Sequence, residues 1–220
     1  MKRCVFCLEN AALRDDQILM RGDLMYACAP RGQLVEGFAA VAPYACIGSL
    51  SQLTREALTE LEEMIATLGR FYAETYGCEG WLLYEQGRGG GGSTVDPQDG
   101  FPMHTHLCAL PLDVDLHAAL AERFRSVPIR GAADLADAVD GPYLFVERRD
   151  RQDRRCARVY LPSSPDTRRE LESSRVRPLV AALAGMPERG DWRDYPGDAE
   201  LAAAVTRFHA WRRLSGVPRR

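Results

Sequence analysis

The residues with the most chemistry in this 220-residue chain are His104-Thr105-His106-Leu107-Cys108 and Cys4-Val5-Phe6-Cys7. In a strand alternate side chains share a face, so 104, 106 and 108 are expected to line one surface, with Leu107 packed behind them. That surface would present two imidazoles and a thiol, groups that bind metals or act as nucleophiles. Cys4 and Cys7 have the C-x-x-C spacing that lets two thiolates reach one metal from a tight turn, a spacing that redox dithiols share. A redox pair belongs after a strand at a helix amino terminus, where the helix dipole lowers a thiol pKa; this pair has no strand before it, which favours zinc. A tetrahedral zinc needs two more ligands, and spacing alone leaves Cys28, Cys46, Cys78, Cys108, Cys156 and the histidines at 104, 106, 117 and 209 all open.

Other segments have a plainer reading. Gly89 to Gly92 could offer main-chain amides to a phosphate, but no Gly-Lys-Ser/Thr follows, so the run reads as a loop bordering the histidine segment. Arg88, Arg175 and Arg177 are candidate sources of positive charge that are expected to be solvated. The charged run Arg148 to Arg155 reads as a solvated hairpin tip.

The elements that must position these residues follow from periodicity. Gln17 to Met20 and Leu24 to Ala29 read as a hairpin around Arg21-Gly22-Asp23, and Phe38 to Ala42 as a buried strand. Between Leu53 and Tyr76, Leu58, Leu61, Ile65, Leu68, Phe71 and Tyr72 recur near a helical period, with Gly77 as the stop. Gly80 to Tyr84 and His104 to Leu112 read as two further strands. The second half suggests helices at Leu116 to Phe124, Glu170 to Leu183 and Glu200 to Leu214, and a hairpin of Tyr143 to Glu147 with Ala157 to Leu161. The expected fold class is α+β, an antiparallel sheet with a long helix packed on one face and a helix-rich carboxy-terminal part.

Bulk properties narrow the function classes. Apolar residues at 46% and charged residues at 27% are ordinary globular values. No window approaches the roughly 18 apolar residues of a membrane span, and Glu9, Asn10, Arg14, Asp15 and Asp16 break up any export signal, so the chain reads as cytoplasmic with no membrane partner. An odd number of cysteines, seven, argues for metal binding or buried thiols over a disulfide framework. A net charge of −3 argues against long nucleic acids, while a small phosphorylated ligand needs only one or two local arginines.

The pattern His104-Thr105-His106-Leu107-Cys108 resembles the histidine-triad (HIT) superfamily motif, near the branch of galactose-1-phosphate uridylyltransferases and diadenosine tetraphosphate phosphorylases. Cys4 to Cys7 resembles that branch's zinc knuckle. Pro43-Tyr44-Ala45-Cys46 looks like its P-x-x-H segment with cysteine as the ligand. The resemblance implies a structural zinc on Cys4, Cys7, Cys46 and His104, and His106 as the nucleophile of a nucleotidyl hydrolase or transferase working through a nucleotidyl-histidine. Tyr84-Glu85-Gln86-Gly87 resembles the family's F-E-N-x-G strand end, which makes Gln86 a substrate-binding candidate. Cys108 stands at the third triad position, also against substrate, where a thiol is a weak hydrogen-bond donor. The implied layout is a zinc-knuckle domain over 1–115 and an extension over 116–220 packed on it, forming a homodimer or an intrachain pseudo-dimer. The alternative is a diverged zinc protein of the same fold, a ligand-binding module or tailoring enzyme without nucleotidyl transfer.

Overall fold

The computed structural model describes residues 6–8, 15–88, 104–172 and 176–217. Cys4, the Gly89–Gly92 run and Arg175 lie outside the described residues. The architecture is α+β, built on one eight-stranded sheet in which every pairing is antiparallel. The strands are β1 (Ile18–Arg21), β2 (Met25–Cys28), β3 (Ala39–Pro43), β4 (Gly80–Gly87), β5 (Leu107–Leu110), β6 (Arg125–Ile129), β7 (Tyr143–Asp150) and β8 (Arg155–Leu161). Their spatial order is β1-β2-β3-β5-β4-β7-β8-β6, so the strands of the second half continue the sheet begun by the first.

The long helix α1 (Arg55–Tyr76) forms where the apolar period predicts it. Thr54 caps its start by accepting the Ala57 amide at 3.3 Å, and Gly77 ends it in the left-handed conformation at φ 68°. Leu61, Ile65, Leu68, Phe71 and Tyr72 form the buried stripe, which packs on Val41, Leu83, Leu107, Ala109 and Phe145 of the sheet. The last helix, α6 (Asp198–Ser215), lies beside α1 on the same face, with the Phe71 and Phe208 rings edge to face at 5.1 Å. The opposite face holds Leu82, Tyr84, Cys108, Leu144 and Val146. It is covered by α2 (Leu116–Ala121), α4 (Pro165–Glu172) and α5 (Val176–Leu183). The small α3 (Leu135–Ala138) joins the α1 side through Leu135. Covering both faces explains why β3, β4 and β5 read as continuous apolar runs instead of alternating ones. No helix among the described residues is long and apolar enough to cross a membrane.

Four sequence readings change. The strand expected from His104 begins only at Leu107, leaving both histidines in the approach to β5. The helix expected over Glu170 to Leu183 is two, α4 and α5. A strand at Arg125–Ile129 has no counterpart in the reading, because Pro128 and the flanking arginine hide it; proline is tolerated there since β6 is an edge.

Within the charged run Arg148 to Arg155, residues 151–155 are the exposed tip of the β7–β8 hairpin, as read; but β7 extends to Asp150, and strand alternation turns Glu147 and Arg149 inward, each 1% exposed. Arg149 pairs with Glu147 and, at 2.9 Å, with Glu62 of α1, so the helix supplies the charge that makes a buried arginine tolerable.

Candidate functional site

His104 is fixed from three directions. The Thr105 amide donates to the Ile47 carbonyl at 2.7 Å, which holds the approach to β5 against the loop leaving β3. The His104 Nε2 lies 2.7 Å from the Pro43 carbonyl, so the Nε2–H tautomer donates there and the lone pair stays on Nδ1. That Nδ1 faces the Cys7 sulfur at 3.5 Å. Cys46, in the same loop after β3, completes a group in which the ligand atoms of Cys7, Cys46 and His104 all lie within 4.8 Å of one another. These three could hold a metal ion. A ring nitrogen bound to a carbonyl behind the ligating nitrogen is how metal-binding histidines are usually oriented. Burial keeps the His104 pKa below its ordinary value against the pull of the Pro43 carbonyl, which leaves the ring neutral, as a ligand must be.

His106 points elsewhere. Its ring stacks on Phe6 at 4.2 Å between centroids and 20° between planes, and its Nδ1 lies 3.2 Å from the His104 carbonyl. An Nδ1–H donating to that carbonyl leaves the Nε2 lone pair available. Burial, partly offset by that hydrogen bond, pushes its pKa down to about 4, so the ring is neutral at ordinary pH. Phe6 is itself anchored, its carbonyl accepting the Tyr26 hydroxyl at 2.5 Å, and Tyr26 leans on Tyr44 at 5.4 Å. Of these rings Phe6 touches His106, Tyr26 is fully buried and Tyr44 is exposed.

Behind this segment Glu85 braces it. Its Oε1 accepts the Thr105 hydroxyl at 2.7 Å and the Leu50 amide at 3.2 Å, while Oε2 is buried and has no partner among the described residues. Burial raises this carboxyl to about 7 in spite of the opposing pull of Thr105, Tyr143 and the Leu50 amide. The neighbouring Tyr143 and Ser49 hydroxyls are 2.9 Å apart.

Cys108 opposes Ala40 on one side and Tyr84 on the other, and burial pushes its thiol up to about 12. It lies on the face away from α1, whereas His106 precedes β5 and strand alternation does not place it. Gln86 turns its carboxamide toward α4, where Nε2 donates to the Leu171 carbonyl. The remaining ligand candidates are dispersed: Cys28 is buried opposite Ala40, Cys78 donates to the Pro111 carbonyl at 3.6 Å, and Cys156 is exposed on β8. His117 lies 2.8 Å from the Tyr160 hydroxyl, and His209 borders a cavity between β1 and the end of α6. Phe6 and Glu85 escaped the reading as site residues. An aromatic inside the C-x-x-C and an acid opposite the histidine segment were the available signals.

Residues 1–88 are similar to the family described as "Protein similar to CwfJ C-terminal". This finding overturns the resemblance to the histidine-triad superfamily, for no family of that kind matches. The pentapeptide His104 to Cys108 lies outside the matched span, while Cys4 to Cys7, Pro43 to Cys46 and Tyr84 to Gly87, the other segments that carried the resemblance, lie inside it and fall to this other family's model. The matched span includes the Cys4-x-x-Cys7 segment, strands β1 to β4 and α1. No curated protein matches the chain significantly.

Proposed function

We propose that this chain is a zinc-braced enzyme that transfers or hydrolyses a nucleotidyl group through His106. The observation that carries the reading is the joint placement of the two histidines. One carbonyl sets His104 with Nδ1 toward two cysteine sulfurs, and the carbonyl of His104 in turn sets the ring of His106. Zinc suits a thiolate and imidazole donor set, and Cys4, three residues before Cys7, is assigned by spacing as the fourth ligand. Bound there, zinc acts as a structural brace.

The chemistry belongs to His106. Its Nε2 lone pair attacks a phosphorus, forming an N–P bond as the P–O bond to the leaving group breaks. The departing oxygen keeps the electron pair and takes a proton from water. Water or another acceptor then attacks the phosphorus, and the N–P pair returns to the imidazole. The hydrogen bond from Nδ1 to the His104 carbonyl supports the charge that develops on the ring during attack. The exposed ring of Tyr44, which leans on the buried Tyr26, supports a substrate with a planar base, hence a nucleotide.

The test is intact-mass analysis of the zinc-loaded protein quenched after incubation with dinucleoside polyphosphates and nucleotide sugars. A nucleotidyl adduct on the wild type that is absent from His106→Ala is the expected result. A second reading, a binding module without transfer, is favoured by Phe6 lying flat against the imidazole. Saturable binding with neither adduct nor turnover would replace the enzyme reading with that one.

A further inference from the structure

The last turns of α6 meet the edge strand β1 around a cavity of about 620 Å³, a size at which small-molecule pockets are common. Its floor is Ile18, Leu19 and Met20 of β1, all buried. Asp15, Arg21 and Arg213 are exposed at its rim, and His209 and Arg212 stand half-buried in its wall. The two sides are tied together. A bulge between Ile18 and Met20 takes Leu19 out of register with β2, and the Leu19 carbonyl accepts Arg212 Nη1 at 2.9 Å, which pins the helix end to the strand. One turn earlier Phe208 is wholly buried, its ring 5.1 Å from that of Phe71 on α1, so the helix wall is held from behind.

The charges of this lining do not cancel. Arg21, Arg212 and Arg213 bring three guanidinium groups, while Asp15 brings one carboxylate, which Arg21 takes at 2.9 Å. A helix carboxy terminus adds about half a negative charge, and Arg212 and Arg213 stand in the last turn of α6. That end offsets about half of one guanidinium, so the cavity keeps an excess of about one and a half positive charges. The excess is local, because the chain as a whole has a net charge of −3. Arg213 has no ion pair among the described residues.

We infer that this cavity is a second binding site, for a small organic anion with an apolar body and one acidic head group. The apolar floor on β1 takes the body, and the arginines at the rim take the head. None of its lining residues belongs to the Cys7–Cys46–His104 group, so this inference stands apart from the reading of His106.

The test is fluorescence titration of the full-length, zinc-loaded protein with anilinonaphthalene sulfonate and with N-phenylnaphthylamine, the same aromatic body without the charge. The wild type is expected to bind one sulfonate per chain and to prefer it by about 10-fold or more, the worth of a charge-assisted contact. His106→Ala should bind it equally well. Arg213→Gln should narrow the preference by about 2- to 5-fold, and adding Arg21→Gln should abolish it, because Asp15 then faces the head group without its partner. Both arginines are exposed, so the melting temperatures of these variants should stay within about 2 °C of the wild type. No binding of the sulfonate, equal affinity for the two probes, a folded Arg213→Gln that keeps the full preference, or loss of the sulfonate in His106→Ala would each overturn the inference.

Discussion

His104 and His106 are two positions apart and do different work, which makes them separable by experiment. His104→Ala deletes a ligand atom of the Cys7–Cys46–His104 group together with its tie to Pro43, so metal content by elemental analysis should fall and the melting temperature with it. His106→Ala leaves that group whole, so metal content should stay at the wild-type level while turnover drops about 10⁴-fold or more. Equal metal in both variants would remove His104 from the site. Glu85 gives a pH test. Its folded pKa of about 7 lies above the ordinary carboxyl value, so the folded state holds the proton more tightly than the unfolded one. The stability this contributes is complete below the unfolded pKa near 4.5 and is lost as pH rises through about 7, on the order of 3 kcal/mol over that window. Glu85→Gln cannot ionise, so its melting temperature relative to wild type should climb between pH 5 and pH 8, about the range the shift spans. A constant difference across that range would mean Glu85 is already charged in the fold.

At the scale of elements, α1 is where sequence and structure agree most closely, since its apolar stripe, its Thr54 cap and its Gly77 stop are all local signals. Gly77 is held at φ 68° with open space where a Cβ would go, so Gly77→Ala should cost about 1 kcal/mol of conformational strain and nothing in clashes. Leu61→Ala, by contrast, opens a hole under a fully buried residue and should cost about 2–5 kcal/mol in chemical denaturation. The places that were not legible depend on distant partners. The chain before Leu107 bends because Thr105 bonds Ile47, a contact 58 positions away in sequence by the residue numbers, so alternation read from Leu107 onward was carried too far back. Arg149 reads as solvent-facing until Glu62 of α1 arrives to neutralise it. The cysteines at 7 and 46 were legible as ligand types, yet spacing alone could not choose Cys46 over Cys28, because the choice is made by the β2–β3 hairpin that brings the loop after Pro43 to His104.

For the whole molecule, the decisive feature is that β4 is flanked by β5 from the first half and β7 from the second, with pairing along β7 from Gly80 to Gly87. A fragment ending at Asp115 would expose that entire strand edge and lose about a third of the α1-facing core, so it should be insoluble or fail to give dispersed amide resonances; a well-dispersed spectrum would show the halves to be independent. The two outer strands end the sheet in different ways. On β1, a bulge between Ile18 and Met20 takes Leu19 out of register, and Arg212 of α6 donates to the Leu19 carbonyl at 2.9 Å. On β6, Pro128 has no amide hydrogen to offer, and Arg125 and Pro128 are exposed. A neighbouring chain trying to add a ninth strand thus meets an acceptor already used on one side and a missing donor on the other. Copies of this protein should therefore resist stacking into ribbons or fibrils through their sheets, and any pairing of copies in solution has to be made through faces and helices instead.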